Sequence, residues 1–249
     1  MIPWLPQELV FPPLSSALTK ADGANGLLAA GGDLSPQRIL TAYRRGIFPW
    51  FSEGDPILWW SPDPRMVLVP SEIHLSKSLR RTLRNKTYEV RLDTAFDRVI
   101  AACSATPRPG QNGTWILPEM QAAYRHLHAL GYAHSVETWI DGELVGGLYG
   151  LALGRVFFGE SMFSHARDVS KIALAHLCLF LQRREFGIID CQMETEHLAS
   201  LGARPIPRRV FAEQLAYLTQ DESPAPWPAD GILNAFKQDH DALLSPNEP

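Results

Sequence analysis

Apolar positions along the chain follow two periods. From residue 76 onward, stretches spaced by three and four residues alternate with stretches of period two, the marks of helix and strand. A helix with a basic face is expected from about Ser76 to Asn85, and YEVRL (88–92) reads as a strand. Asp93 or Thr94 is expected to cap a helix through about Ser104, and Pro118 opens another that Gly131 ends. AHSVETWI and ELVGGLYGLAL are alternating runs joined by Asp141-Gly142, a hairpin signal, and Gly154-Arg155 turns the chain again into VFFGESMF. Gly146-Gly147 predicts a bulge or a close approach of another backbone. A long helix over about Val169–Phe186, the strand IIDCQM, a short helix EHLASL capped by Thr195 and a last helix RRVFAEQLAYL complete the series. Nearer the N-terminus one helix stands out: Ser35 as N-cap, Pro36 in the first position, RILTAYRR, and a stop at Gly46. FPWF and ILWWSPDPR read as aromatic loops.

This order predicts an α+β protein. A small N-terminal domain occupies 1–65. A catalytic-sized domain over 66–220 has a central, mainly antiparallel sheet flanked by helices, with at least one helical crossover. An irregular acidic, Pro-containing tail covers 221–249. Acyltransferases of the acetyltransferase (GNAT) type share this element order, a likeness of pattern that decides no function.

Composition narrows the class. At 249 residues, 45% apolar and 20% charged, the chain can bury a substantial core. Cys103, Cys178 and Cys191 are too few and scattered for a disulfide framework, which fits a reducing compartment. The N-terminal MIPWLPQELVFPP lacks the features of a signal peptide, and the apolar run around Ile172–Leu181 is too short to span a bilayer. A cytoplasmic location is expected. The net charge of −4 belongs to the tail, where six acids and one lysine lie beyond residue 220. The body is near neutral, so its basic cluster LSKSLRRTLRNK stands out.

Two strands carry acids where apolar residues are expected. Alternation puts Ile188, Asp190 and Gln192 on one face of GIIDCQMET, and Ile189, Cys191 and Met193 on a face that reads as packing. In VFFGESMF, Glu160 sits among aromatics, and a bulge at Gly159 would shift its parity. Such a carboxylate is either an ion pair within the core or the polar anchor of an apolar pocket; two strands carrying them together favour the pocket. Asp190 could act as a general base, with burial raising its pKa and a hydrogen bond from Gln192 lowering it. Cys191 as a nucleophile is disfavoured by its packing-face parity. The histidines show no zinc spacing, and no P-loop or GxGxxG is present, so no metal, nucleotide or other cofactor is expected. Lys77, Arg80, Arg81 and Arg84 share one helix face, which is either a solvated face or a track for nucleic-acid phosphates. Trp50, Phe51, Trp59, Trp60 and Trp115 lie in expected loops, as plugs over a small core or as pocket walls and stacking platforms.

NGLLAAGGDLSPQRILTAYRRGIFPWF, DPILWWSPDPR, GTWI, ELVGGLYG, FFGESMFS, SK, IIDCQ and HLASLGARPIPR occur in this order over roughly residues 26 to 215. In these motifs the chain resembles the leucyl/phenylalanyl-tRNA–protein transferases. The resemblance implies an enzyme that moves Leu or Phe, and Met less well, from aminoacyl-tRNA to proteins beginning with Arg or Lys, marking them for N-end rule degradation. It implies an acetyltransferase-like domain behind a small N-terminal one, no metal and no bound cofactor. It also implies Asp190 as proton acceptor, Gln192 as its orienting or relaying partner, and Glu160 near a cationic amine. Trp50, Trp115, Leu148, Phe157, Met162, Leu177 and Ile189 would line the pocket for the amino-acid side chain and the terminal adenine. Leu148 and Leu177 stand where other members carry Met and Phe. Lys77, Arg80, Arg81 and Arg84 would hold the tRNA acceptor stem. A monomer without membrane partners is expected. The rival readings are an acyl-CoA-dependent N-acyltransferase, against which the lack of a pyrophosphate-binding loop counts, and a non-enzymatic RNA-binding module.

Overall fold

Two sheets organise the chain. The computed structural model describes residues 2–106, 114–220 and 227. The expected tail over 221–249 therefore lies outside the described residues except for Trp227, as does most of the loop before Trp115.

The N-terminal part is built on β1 (Trp4–Leu5), β2 (Leu27–Gly31), helix α1 (Pro36–Arg44), β3 (Phe48–Pro49) and β4 (Leu58–Trp60), with sheet order β1-β2-β4-β3. Helix α1 starts as its sequence dictates, with Ser35 Oγ accepting the Arg38 amide. FPWF and ILWWSPDPR are not loops: they supply β3, β4 and β5 (Arg65–Leu68). Proline and aromatic density hid these short strands. What fixes them is burial, since Trp59 is sealed from solvent and donates its indole N–H to the Gly31 carbonyl at 2.8 Å.

The larger sheet takes β5 and adds β6 (Glu89–Leu92), β7 (Ala133–Ile140), β8 (Glu143–Leu153), β9 (Val156–Ser164), β10 (Ile188–Gln192) and β11 (Arg204–Ile206). Its order is β11-β5-β10-β9-β8-β7-β6, antiparallel throughout except that β10 runs parallel to β9. That parallel pair requires a crossover, which α5 (Val169–Arg183) provides. The remaining helices are α2 (Lys77–Asn85), α3 (Phe96–Ala105), α4 (Pro118–Ala129), α6 (Glu196–Ser200) and α7 (Arg208–Leu218). Asp141 and Gly142 both take left-handed φ, as the β7–β8 hairpin needs. Neither Asp93 nor Thr94 caps α3. Ala95 holds the N-cap position with no side-chain cap, and the Glu137 carboxylate on β7 instead fixes the entry to the helix, accepting the Thr94 hydroxyl at 2.7 Å and the Thr94 and Ala95 amides.

One apolar cluster runs from Leu28, Ile39 and Trp59 of the N-terminal part to Phe96, Tyr124 and Phe158, so the first 65 residues share a core with the larger sheet. A second cluster on the other face joins Leu148, Phe157, Ile172, Leu177 and Ile189 beneath α5. Gly146 lets α5 approach β8, because a Cβ there would lie 2.5 Å from Val169 Cγ2 and 3.1 Å from the Val169 backbone. Gly146→Ala is expected to cost roughly 1–3 kcal/mol of unfolding free energy through overpacking, read as a lower urea midpoint. An unchanged midpoint would mean that α5 does not sit this close to β8.

Candidate active site

The pairing of β9 with β10 ends at Phe158 opposite Asp190. Both strands become irregular just beyond it. On β9, Gly159 and Ser161 oppose the consecutive residues Gly150 and Tyr149, so Glu160 is the extra residue of a bulge. On β10 the register with β5 slips between Asp190 and Gln192, and Gln192 takes a left-handed φ of 55°. A mainly apolar cavity of about 500 Å³ opens where the strands part.

Trp115, Leu148, Phe157, Met162, Leu177 and Ile189 all line this cavity, together with Glu160, Gln192 and Cys191. Trp50 does not. Its ring stands edge-on to Trp60 at 5.3 Å, and its carbonyl accepts the Trp60 indole N–H at 2.6 Å, which fixes it within the N-terminal packing.

The face of β10 expected to pack is the one that lines the cavity. The Ile189 and Cys191 side is the cavity wall, whereas Ile188 packs in the other core. Met193 is exposed rather than packed. Asp190 is sealed on the side away from the cavity, where Arg65 holds it in a fork: Nε to Oδ1 at 2.7 Å and Nη2 to Oδ2 at 2.6 Å. Arg65 also donates to the Gly46 carbonyl at 3.1 Å and lies between the Phe48 and Phe211 rings, 4.8 Å from each centroid. Asp190 therefore touches nothing that enters the cavity. It reaches the site through the Gln192 amide, which donates to Asp190 Oδ1 at 3.0 Å. The left-handed turn that makes this bond also carries the Gln192 carboxamide to Glu160, with Nε2 3.1 Å from Oε1.

Glu160 is the carboxylate on the cavity wall. Tyr43 from α1 donates to Oε1 at 2.7 Å and Tyr124 from α4 to Oε2 at 2.9 Å, while the two hydroxyls lie 2.5 Å apart. Burial raises the Glu160 pKa to about 7, against the lowering pull of both tyrosines; Asp190 raises it further and Arg65 opposes. Proton counting points the same way. Proton placement allows three contacts only if one tyrosine donates to the other and a protonated Glu160 donates to the first, since two phenolic protons serve two of the three contacts. Burial first, then Asp190, pushes the Cys191 thiol up, so no thiolate nucleophile forms there.

Tyr43, Tyr124 and Arg65 were not singled out from sequence. Tyr43 lies on the buried stripe of α1 with Ile39 and Leu40, and a buried phenol needs a polar partner, which was the available signal. Arg65 offered none before β5 was recognised as a strand.

Along α2, Leu79 and Leu83 are buried while Lys77, Arg81 and Arg84 are exposed; Arg80 is half-buried and donates to the Leu75 carbonyl at 3.1 Å. Arg81 continues into a polar hollow of about 620 Å³ shared with Lys86, Arg167 and Asp168. Among the described residues, no group of three His, Cys, Asp or Glu is placed to hold a metal ion, and no helix is long and apolar enough to cross a membrane.

A mixed sheet that parts over an apolar cavity, with a carboxyl of raised pKa and a carboxamide on its wall, is the arrangement of an α+β enzyme with a proton-transfer group beside an apolar pocket. Sequence comparison supplies the particular family. The model of leucyl/phenylalanyl-tRNA protein transferases matches residues 67–216, and that of their N-terminal domain matches 32–63. The leucyl/phenylalanyl-tRNA–protein transferase of Azoarcus sp. (strain BH72) is 61% identical over 228 residues, 91% of this chain and 95% of that protein. The one from Chromobacterium violaceum is 65% identical over 215 residues, 86% of this chain and 91% of its own. This chain belongs to the leucyl/phenylalanyl-tRNA–protein transferase family. A GCN5-related N-acetyltransferase from Kribbella flavida matches at 11% identity and a TM-score of 0.34, covering 68% of this chain and 60% of its own, a likeness too weak to carry an argument.

Two outcomes test the site. Arg65→Met leaves the buried Asp190 charge unpaired and is expected to cost about 3–5 kcal/mol, most of it recovered in Arg65→Met/Asp190→Leu. Glu160 binds its proton more tightly folded than unfolded, so its contribution to stability is complete below the ordinary 4.5 and is lost as pH rises through about 7. Chemical denaturation across that window should show the native protein losing stability relative to Glu160→Gln; parallel curves would refute the raised pKa.

Proposed function

We propose that this protein transfers Leu or Phe, and Met less well, from aminoacyl-tRNA to the α-amino group of proteins that begin with Arg or Lys, acting as a cytoplasmic monomer in N-end rule degradation. The observation that carries this reading is Glu160, a carboxylate of near-neutral pKa at the wall of an apolar cavity large enough for an amino-acid side chain.

The donor is an ester, so forming an amide from it is downhill and needs no nucleoside triphosphate. The acceptor arrives as an ammonium ion. Glu160 takes one of its protons, and the freed nitrogen lone pair attacks the ester carbonyl carbon. As the tetrahedral intermediate collapses, the bond from carbon to the ribose oxygen breaks, that oxygen receives the proton held by Glu160, and the nitrogen releases its surplus proton to solvent as the amide forms. Glu160 can both take and return it because its pKa lies near the working pH. Holding amine and ester in line supplies much of the remaining acceleration. Gln192 orients Glu160, and Asp190 acts as a positioning residue that fixes Gln192 rather than as the base itself. Leu148, Phe157, Met162, Leu177 and Ile189 receive the donor side chain, and Trp115 stands at the same wall for side chain or adenine. Lys77, Arg80, Arg81 and Arg84, extended by Lys86 and Arg167, meet the phosphates of the acceptor stem.

Labelled Leu-tRNA is offered to one reporter that begins with Arg and one that begins with Glu. Label on the Arg reporter alone is expected; none on it would end the assignment, and retention on immobilised coenzyme A would favour the acyl-CoA alternative. Glu160→Gln should lower kcat by roughly 10²–10⁴-fold and abolish the rise of rate through about pH 7, with tRNA affinity intact. Arg81→Ala with Arg84→Ala should weaken tRNA binding and flatten its salt dependence by about two phosphate contacts. Equal affinity in that variant would remove α2 from the binding surface.

A further inference from the structure

Trp227 stands behind the cavity's Phe157 wall. Its indole lies flat on the His134 imidazole, with centroids 4.0 Å apart at an angle of 4°. It meets the Phe180 ring at 4.7 Å and the Phe157 ring at 6.1 Å. The imidazole beneath it is fixed, with Nδ1 2.8 Å from Asp93 Oδ2, while Asp93 Oδ1 accepts the Ser135 amide at 2.8 Å. Phe157 lies over a gap in β8, because the residue there is Gly150; a Cβ on Gly150 would come 2.6 Å from Phe157 Cε1. Gly150 pairs with His134 on β7 and with Gly159 on β9. The Phe157 ring therefore sits across the middle of the sheet, with the cavity on one side and Trp227 on the β7 side. The Trp227 indole borders the Phe157 ring on that side.

We propose that Trp227 is a specificity-determining residue that sets the depth of the amino-acid cavity by holding Phe157 in place. The inference rests on the reading of that cavity as the site for the donor side chain. With the indole removed, Phe157 can turn toward β7 and the cavity deepens, which favours the longer phenylalanyl side chain over leucyl.

The test uses the full-length protein with Trp227→Ala, Trp227→Leu and Trp227→Phe, measuring kcat and KM for Leu-tRNA and Phe-tRNA with the Arg reporter, alongside the melting temperature. In Trp227→Ala the Phe:Leu ratio of kcat/KM is expected to rise roughly tenfold, carried by KM with kcat changed less than about twofold. Trp227→Phe keeps a ring against Phe157 and should restore the ratio to within about threefold of the native value. Trp227→Leu serves as the reading if the alanine variant does not fold, with a shift in the same direction expected. A lowered melting temperature with an unchanged ratio, or an equal loss for both donors, would make Trp227 a structural plug and overturn the inference. The native protein runs in the same assay. Failure to transfer either amino acid there would overturn the reading of the cavity and this inference with it, whereas an unchanged ratio in an active variant overturns this inference alone.

Discussion

The fork between Arg65 and Asp190 is the constraint on which the site depends. Both side chains are fully buried, so each alone would be prohibitive. Together they make two short charge-assisted bonds, and the remaining guanidinium surface is occupied by the Gly46 carbonyl and the faces of Phe48 and Phe211. A hydrophobic pair of the same volume could match this in stability. What it could not do is fix position. The fork ties the turn after α1, the neighbouring strands β5 and β10 and the last helix α7 to one point, and Asp190 accepts the Gln192 amide there. The bend that aims the Gln192 carboxamide at Glu160 follows from that bond.

The opposite side of the site is built by importing groups from distant parts of the chain. Glu160 would be an uncompensated acid among aromatics if Tyr43 and Tyr124 did not reach it from α1 and α4. Tyr43 belongs to the N-terminal part, so the small sheet and its helix complete the site rather than decorate it. The same contact accounts for the continuous core: a hydroxyl held within 2.7 Å of Glu160 requires α1 to pack against β9, and the Tyr43 ring does so edge-on to Phe158 at 5.0 Å.

Local rules carried the secondary structure wherever a helix had a cap or a hairpin had its turn. Ser35, Pro36, Thr195 and Asp141-Gly142 each act as their residue types require. The rules failed where tertiary burial decides. The strands around Trp59 are too short to show a period, and the entry to α3 is held by Glu137, some forty residues away, rather than by Asp93 or Thr94 as a cap. In the site, the apolar wall came from the resemblance, and all of its residues but Trp50 line the cavity, whereas alternation alone had placed Ile189 on a packing face. The roles of Asp190 and Glu160 were not, since a bulge and a left-handed residue break the alternation from which their faces are read. The resemblance pointed to both acids, and their division of labour turns on which one faces the cavity, Glu160 on its wall and Asp190 away from it.

That division has an energetic reason under the proposed chemistry. A peptide α-amine has a pKa of about 7.7–8.0, so an ordinary glutamate near 4.5 would accept its proton with a disadvantage of over a thousandfold. At about 7 the exchange comes within roughly tenfold of even. The cause of that shift is burial against the same apolar wall that receives the donor side chain. On that reading, a leucyl or phenylalanyl group in the cavity would extend the apolar surroundings of Glu160 and make its carboxylate a stronger base, so that donor binding would also favour activation of the acceptor amine.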